Sequence, residues 1–145
     1  MLGRLIVVTG TGTGIGKTHV SCALLRRAAE KKHSVFGYKP IESGVDGATR
    51  TDAERLAAVS SFHVKQCPSF QLRAAISPHL AARLENVTID LEPVQRFIRE
   101  LCDRSVEVLI ELPGGLFTPL TDTLRNVDVV AMLRPSLTLL IAPDR

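Results

Sequence analysis

The chain has 145 residues, 45% of them hydrophobic and 23% charged, with a formal net charge of +3. This length and this balance are ordinary for a soluble globular protein, and they allow one compact domain with one sizeable core. Because acidic and basic residues are interleaved and aromatic residues make up only 4%, the composition argues against nucleic acid as a partner.

The sequence also argues against a membrane protein or a secreted one. No apolar run approaches the ~20 residues that span a membrane. The apolar start, residues 2–8, is too short for a signal-peptide core and leads directly into a glycine-rich loop. The three cysteines, Cys22, Cys67 and Cys102, form no Cys-x-x-Cys pair and have no zinc-ligand spacing. We therefore expect a cytoplasmic protein with buried free thiols and no membrane association.

The first third of the chain alternates short apolar runs with an amphipathic one. Residues 5–8 are apolar, rich in β-branched side chains and followed by glycines, which predicts a buried parallel strand. Residues 18–32 carry apolar side chains on one face and basic ones in the last turn, which predicts a helix. Residues 35–38 predict a second strand that Pro40 ends, and the small polar residues of 42–51 predict a loop.

The rest of the chain continues this alternation. Thr51 or Asp52 caps a predicted helix that reaches residue 60, whereas residues 61–76 have no clear pattern. Ser77 and Pro78 have the residue types of a helix cap and a first helical position. The other predicted elements are a helix over residues 92–103, a strand over 106–112, a short helix over 127–133 and a fourth strand over 137–142.

The glycine-rich run between the first strand and the first helix is the strongest functional signal. Gly10, Gly16, Lys17 and Thr18 form a Gly-x5-Gly-Lys-Thr pattern, with one residue more between the glycines than the standard phosphate-binding loop. Glycines let the backbone turn its N–H groups inward, and the helix adds its positive end. Lys17 can reach the β- and γ-phosphates of ATP, and the Thr18 hydroxyl can bind magnesium. A dinucleotide-binding loop is the alternative, but it gives the Lys-Thr pair no role.

The predicted fold class is therefore α/β: a P-loop nucleotide-binding domain whose parallel sheet has helices on both faces. We see no repeat, linker or second domain, so residues 1–145 are expected to form a single domain. The sequence stops directly after an apolar strand, where a buried parallel strand usually leads into a covering helix. We expect a domain truncated at its C-terminus, the N-terminal part of a longer one; a naturally short domain is the alternative.

Polar residues near the ends of the predicted strands are candidates for a site, because ligands bind beyond the carboxyl ends of parallel strands. Lys39 follows the second strand and is either a cation aimed at an anionic intermediate or a solvated lysine. Glu111 ends the third strand and needs a partner, either magnesium or a basic side chain. Asp52 is either a helix cap or a second acid beside the metal. The pattern around Ser43, taken by itself, predicts a turn residue.

Six motifs occur in the order seen in dethiobiotin synthetases, so the sequence resembles that family over nearly its whole length. The five-residue spacer in the loop and the Tyr-Lys-Pro-x-x-Ser-Gly run are the most specific of them. The motifs are Gly10-Thr11-Gly12-Thr13-Gly14-Ile15-Gly16-Lys17-Thr18, Tyr38-Lys39-Pro40-Ile41-Glu42-Ser43-Gly44, Thr51-Asp52-Ala53, Ser77-Pro78-His79, the run over residues 111–120, and Thr121-Asp122-Thr123.

The resemblance implies an ATP- and Mg²⁺-dependent ligase of biotin biosynthesis. Such an enzyme makes the cyclic urea of dethiobiotin from 7,8-diaminopelargonic acid, carbon dioxide and ATP. One substrate amine captures carbon dioxide as a carbamate, ATP phosphorylates the carbamate, and the second amine closes the ring and expels phosphate. The implied partners are these small molecules and, for the full-length protein, a second subunit in a homodimer.

The resemblance also implies roles for individual residues. Lys17 and Lys39 would be catalytic, because they would stabilise the charge on the carbamate and on the transferring phosphoryl group. Thr13 and Ser43 would contact the diamine. Magnesium would be bound by Thr18, Asp52 and Glu111. The nucleotide would be bound by Gly14, Ile15, Gly16, Lys17, Thr18, His19, Asp52, Glu111, Leu112, Pro113 and Gly114.

Three departures from the family pattern bear on these expectations. The family usually has an acid where Gly12 stands. It usually reads Glu-Gly-Ala-Gly-Gly where this chain has Leu112 and Pro113 after the glutamate, so that a backbone N–H is lost and bulk is added. This change would weaken substrate binding or alter the substrate. Finally, family members are longer than this chain.

Two other readings compete with the synthetase. A nucleotide-binding switch or assembly protein, like the partition ATPases, would carry an extra lysine early in the loop, but neither Thr11 nor Gly12 is a lysine. The other reading is a divergent or truncated P-loop protein that binds ATP but has a different substrate or a non-catalytic, regulatory role.

Overall fold

The computed structural model describes residues 2–144. Within this range the chain forms six strands and five helices that alternate along most of its length. The strands are β1 (Leu5–Gly10), β2 (Val35–Tyr38), β3 (Ile41–Ser43), β4 (Phe70–Leu72), β5 (Glu107–Glu111) and β6 (Leu137–Ile141). The helices are α1 (Lys17–Glu30), α2 (Asp52–Ala58), α3 (Pro78–Leu84), α4 (Glu92–Asp103) and α5 (Asn126–Leu133).

The main sheet has the strand order β2-β5-β1-β6, and all of its neighbours are parallel. In this order the two strands that precede the candidate loops, β1 and β5, are adjacent, and Val8 lies in register with Glu111. Because parallel strands end at the same edge of a sheet, the loops after β1, β2 and β5 open side by side. The predicted parallel α/β fold is confirmed.

Helices cover both faces of the sheet, as predicted. Leu25 of α1 and Leu56 of α2 pack with Val8, Val35 and Leu109 on one face. The other face carries the larger part of the core, to which α3, α4 and α5 all contribute. Alternate residues of each strand point to opposite faces, so the continuous apolar runs of the strands supply both cores.

A second sheet of two short parallel strands, β3 and β4, lies beside the main one. The sequence predicted a loop over residues 42–51, which is wrong for residues 42 and 43, and the pattern of residues 61–76 did not reveal β4. Three-residue strands are too short for a two-residue period to be recognised. Their stability comes instead from distant packing partners, because Ile41 and Leu72 are fully buried.

The last strand differs from its prediction as a buried strand. Leu137 is 49% exposed and Leu140 is 55% exposed. Within residues 2–144, β6 forms backbone hydrogen bonds with β1 alone, so it is an edge strand of the sheet. The cysteines are free as predicted, but they are half-buried rather than buried. Across the same residues, none of the helices has both the length and the apolar character of a membrane span.

Candidate functional site

A cleft of about 390 Å³ lies at the carboxyl edge of the main sheet. The loops after β1 and β5, the segment that follows β2, and the first turns of α1 and α2 form its walls. The predicted site residues Ile15 and Leu112 do not line this cleft, whereas all the others do. The lining residues are Thr13, Gly14, Gly16, Lys17, Thr18, His19, Lys39, Glu42, Ser43, Asp52, Arg55, Glu111, Pro113 and Gly114.

Two glycines of the glycine-rich loop have backbone conformations that favour glycine. Gly14 and Gly16 have φ values of +71° and +97°, in the left-handed region that favours glycine. A Cβ at either position would meet no atom within 4 Å, so the requirement is for backbone conformation and not for space. No side chain caps the N-terminus of α1 at Gly16. The first amides of this helix therefore lack a capping partner at the floor of the cleft, where an anion would bind.

Lys17 begins α1 and folds back over the loop. Its Nζ donates a hydrogen bond to the carbonyl oxygen of Gly12 at 2.6 Å, and the residue is buried. Burial lowers the pKa of Lys17, and the negative charge of Glu111 only partly opposes this effect. An anion in the cleft would supply the full countercharge that this ammonium group lacks.

Lys39 lies between two carboxylates. Its Nζ is 2.7 Å from Oε1 of Glu111 and 2.7 Å from Oδ2 of Asp52. Burial acts to lower the pKa of Lys39, but the two carboxylates outweigh it and the pKa is raised. For Asp52, burial acts to raise the pKa, but the hydrogen bond and the charge of Lys39 lower it. The structure thus brings together three residues that are far apart in the sequence.

Glu111 is completely buried at the end of β5 and is held by three side chains. The hydroxyl of Thr18 donates to its Oε1 at 2.8 Å, and Lys39 Nζ donates to the same oxygen at 2.7 Å. The hydroxyl of Ser21 donates to its Oε2 at 2.9 Å. Sequence reasoning missed Ser21. It lies three residues after Thr18, on the same side of α1, and this helical spacing is the signal that could have identified it.

Glu42 was also missed, because the sequence predicted a loop at this position. Its side chain reaches the first turn of α2, where it accepts hydrogen bonds from the amides of Asp52 and Ala53 at 2.6 and 3.2 Å. The sequence left open whether Thr51 or Asp52 caps this helix. Thr51 does so, through a capping box with Glu54. Asp52 is therefore free to turn its carboxylate toward Lys39.

The segment that follows β5 packs directly against the glycine-rich loop. Leu116 N donates to Gly10 O at 2.8 Å, and a Cβ on Gly115 would come within 3.0 Å of the carbonyl oxygen of Thr11. Asn126 is buried in α5 and donates from Nδ2 to the carbonyl oxygens of Pro113 and Gly115 at 2.6 and 2.7 Å. These contacts fix the backbone of one wall of the cleft.

The unusual residues after Glu111 have different positions. The side chain of Leu112 is buried in the core on the α4 side of the sheet and does not face the cleft. Pro113 is buried as well, but it lines the cleft. The bulk of Leu112 is therefore accommodated outside the site. Because Pro113 has no backbone N–H, the cleft wall lacks a hydrogen-bond donor at this position.

The donor set of the cleft fits a magnesium ion. Thr18, Asp52 and Glu111 provide hydroxyl and carboxylate oxygens, which are the hard ligands that Mg²⁺ prefers. Among residues 2–144 there is no cluster of three or more His, Cys, Asp or Glu side chains that could hold a metal ion. Magnesium is usually bound through one or two carboxylates together with water and phosphate oxygens.

The chain is similar in sequence to proteins of known families. Residues 4–145 match the family model described as "AAA domain". ATP-dependent dethiobiotin synthetases are similar to the chain: that of Nitrosospira multiformis is 37% identical over 134 residues, and that of an Anaeromyxobacter species is 41% identical over 133. These alignments cover 91% and 90% of the chain but 59% of each relative. A Yersinia pestis synthetase is 40% identical over 79% of the chain and 50% of its own length. The resemblance predicted from the motifs is confirmed.

Proposed function

The chain belongs to the AAA domain family, and we propose that the whole protein is an ATP-dependent dethiobiotin synthetase of biotin biosynthesis. The enzyme would carboxylate 7,8-diaminopelargonic acid and close its cyclic urea at the expense of ATP. One observation carries the proposal: Lys39 bridges two carboxylates in the same cleft as Lys17 and the glycine-rich loop. The synthetases that align with nine-tenths of the chain support this choice of reaction.

In the proposed reaction, negative charge develops close to Lys17 and Lys39. One amine adds to carbon dioxide and loses a proton, which gives a carbamate. A carbamate oxygen then takes the γ-phosphoryl group of ATP, and ADP leaves. The second amine attacks the carbonyl carbon, loses its proton and releases phosphate as the ring closes. Lys17 and Lys39 are both buried, and two buried ammonium groups in fixed positions stabilise such charge more than they would in water.

Residues of the cleft would bind the magnesium ion, the diamine and the nucleotide of the proposed reaction. Thr18, Asp52 and Glu111 would hold magnesium, which when bound neutralises phosphate charge. Thr13 and Ser43 both line the cleft and would contact the diamine. The nucleotide would be bound by Gly14, Ile15, Gly16, Lys17, Thr18, His19, Asp52, Glu111, Leu112, Pro113 and Gly114, with Ile15 and Leu112 contributing backbone rather than side chain. A homodimer and a cytoplasmic location are further parts of the proposal, and they rest on the resemblance alone.

Phosphate release from ATP tests the proposed function. We expect release to require the diamine, bicarbonate and magnesium together, and to fall at least a hundredfold in Lys39→Ala. The assay omits each component in turn, and Arg83→Ala serves as a control because it removes an exposed ion pair outside the cleft. If Mg-ATP binds but phosphate release does not depend on the diamine, the proposed substrate is wrong. That result would favour the interpretation as a divergent P-loop protein with a different substrate.

A further inference from the structure

Glu42 is a buried carboxylate to which the proposed chemistry gives no role. It lies in β3, is 8% exposed and lines the cleft. Within residues 2–144, no side-chain nitrogen of a lysine, arginine or histidine lies within 4 Å of its carboxylate oxygens. Its two oxygens are instead used by two backbone amides, those of Asp52 and Ala53. The contact between Glu42 and α2 therefore serves to hold the backbone of that helix.

The backbone that Glu42 holds carries the partner of Lys39. Asp52 is the first residue of α2, and its amide donates to Glu42 while its carboxylate accepts from Lys39. Lys39 lies only three residues before Glu42, and Pro40 between them restricts the backbone. The carboxylate of Glu42 thus ties Asp52 to the segment from which Lys39 projects.

The connection between β3 and α2 cannot provide this restraint by itself. Residues 44–51 contain neither helix nor strand, and residues 46–50 are exposed. The capping box of α2 closes on Thr51 and Glu54, so it stabilises the helix without reaching back to β3. Glu42 therefore provides a link between the strand and the helix that local capping does not.

We propose that Glu42 is a positioning residue that acts through Asp52. By accepting the amides of Asp52 and Ala53, it holds the Asp52 carboxylate where that group and Lys39 together serve the site for the metal-bound nucleotide. The proposal rests on the proposed function for the identity of the ligand. The hydrogen bonds that define the role of Glu42 are present without any ligand.

Calorimetric titration with ATP in the presence of magnesium tests this role. We expect Glu42→Ala to weaken binding about tenfold, as is typical when a group that orients a metal ligand is lost. Glu42→Gln, which keeps one acceptor oxygen, should lose less. Glu54→Ala is the matched control: it breaks the capping box of the same helix but leaves the contacts of Glu42 intact, so its affinity should stay within about twofold of wild type. In an Asp52→Ala background, Glu42→Ala should have no further effect on affinity.

Amide hydrogen exchange without ligand gives a second readout. Protection of the Asp52 and Ala53 amides should fall in Glu42→Ala and persist in Glu54→Ala. If protection falls but affinity is unchanged, Glu42 is only structural and the proposal is wrong. It is also wrong if Glu42→Ala weakens binding equally with and without Asp52. If the wild-type protein does not bind ATP with magnesium, the proposed function is wrong, and the role of Glu42 that rests on it is wrong as well. This outcome differs from the other two because it is seen in the wild type and not in the variants.

Discussion

Lys17 and Lys39 line the same cleft, yet their pKa values shift in opposite directions. Burial is the largest influence on both and acts to lower the pKa of each, but only the pKa of Lys17 is lowered. Lys39 touches two carboxylates, which reverse the shift, whereas the contact of Lys17 is a backbone carbonyl. At the scale of the residue, burial of the side chain alone does not decide the direction in which the pKa of a lysine shifts. Its neighbours decide it.

The buried ion pair between Lys39 and Glu111 leads to a prediction about stability. Lys39→Met leaves Glu111 buried without its cation and should reduce the free energy of unfolding by about 3–5 kcal/mol. The double variant Lys39→Met/Glu111→Leu should recover part of this loss while remaining inactive, because apolar residues replace both charges of the pair. Recovery is incomplete because the hydroxyls of Thr18 and Ser21 lose their acceptor. Urea denaturation measures the two effects. A double variant as unstable as the sum of the single variants would contradict the prediction.

Asp52 and Lys39 also predict how stability depends on pH. Because the pKa of Asp52 is lowered in the folded protein, its contribution is present above its ordinary value of 3.8 and is lost as the pH falls through the folded value. The raised pKa of Lys39 has the opposite consequence: its contribution is present below 10.5 and is lost as the pH rises through the folded value.

The test of this pH dependence is a series of urea midpoints from pH 2 to pH 8, compared between wild type and Asp52→Asn. The difference in stability should be constant near neutral pH and should shrink below about pH 4. Asp122→Asn controls for the loss of an exposed ion pair. A difference that is unchanged at the acid end would show that Asp52 is not stabilised by Lys39.

At the scale of elements, the cleft depends on the loop after β5 as much as on the glycine-rich loop. Asn126 fixes the first of these loops to α5, and Leu116 hydrogen-bonds it to the end of β1. Gly115 lies between the two loops, where backbone approaches backbone. The two walls of the cleft are therefore mechanically connected, and a change in one should displace the other.

Gly115→Ala tests this connection. The new Cβ would lie 3.0 Å from Thr11 O and 3.2 Å from Gly12 N, and backbone atoms cannot move aside cheaply. We expect a loss of about 1–3 kcal/mol in unfolding free energy and weaker nucleotide binding. Gly12→Ala is the control for stability, because a Cβ there meets no atom within 4 Å. Equal stabilities of the two variants would show that the loops are free to separate.

At the scale of the whole molecule, the main sheet that residues 2–144 form is covered on both faces but has an apolar edge at β6. Leu139 packs against the core beside α1, whereas Leu140 on the opposite face of the strand is exposed. An exposed edge strand with apolar side chains can pair with another chain. The expectation that the domain continues beyond residue 145 remains a prediction.

For the 145-residue chain by itself, this edge strand predicts concentration-dependent self-association. Leu140→Lys should reduce it, because a charged side chain on an edge strand opposes pairing, and should change the free energy of unfolding by less than about 0.5 kcal/mol. Leu139→Lys is the matched control on the adjacent position and should destabilise the fold, because Leu139 packs against the core. Light scattering measures the association. Scattering that is the same for Leu140→Lys and wild type would contradict the prediction.

The sequence by itself determined the features that depend on local pattern. The apolar runs predicted the strands of the main sheet, the helical periods predicted the covering helices, and the Gly-x5-Gly-Lys-Thr run predicted a glycine-rich turn between β1 and α1. These predictions succeeded because strand, helix and glycine conformation depend mainly on neighbouring residues. The motifs placed Lys39, Asp52 and Glu111 among the candidates, but left open whether each was a ligand, a cap or a solvated side chain.

Only the tertiary structure decided how these residues meet. The adjacency of β1 and β5 brings Thr18 and Ser21 to Glu111, and the strand β3, which the sequence predicted as a loop, brings Glu42 to the amide of Asp52. The exposure of β6 likewise depends on which elements lie beside it. Contacts between residues far apart in the chain arise from sheet order and packing, which a local sequence pattern does not predict. The pKa shifts of Lys39 and Asp52 depend on those contacts.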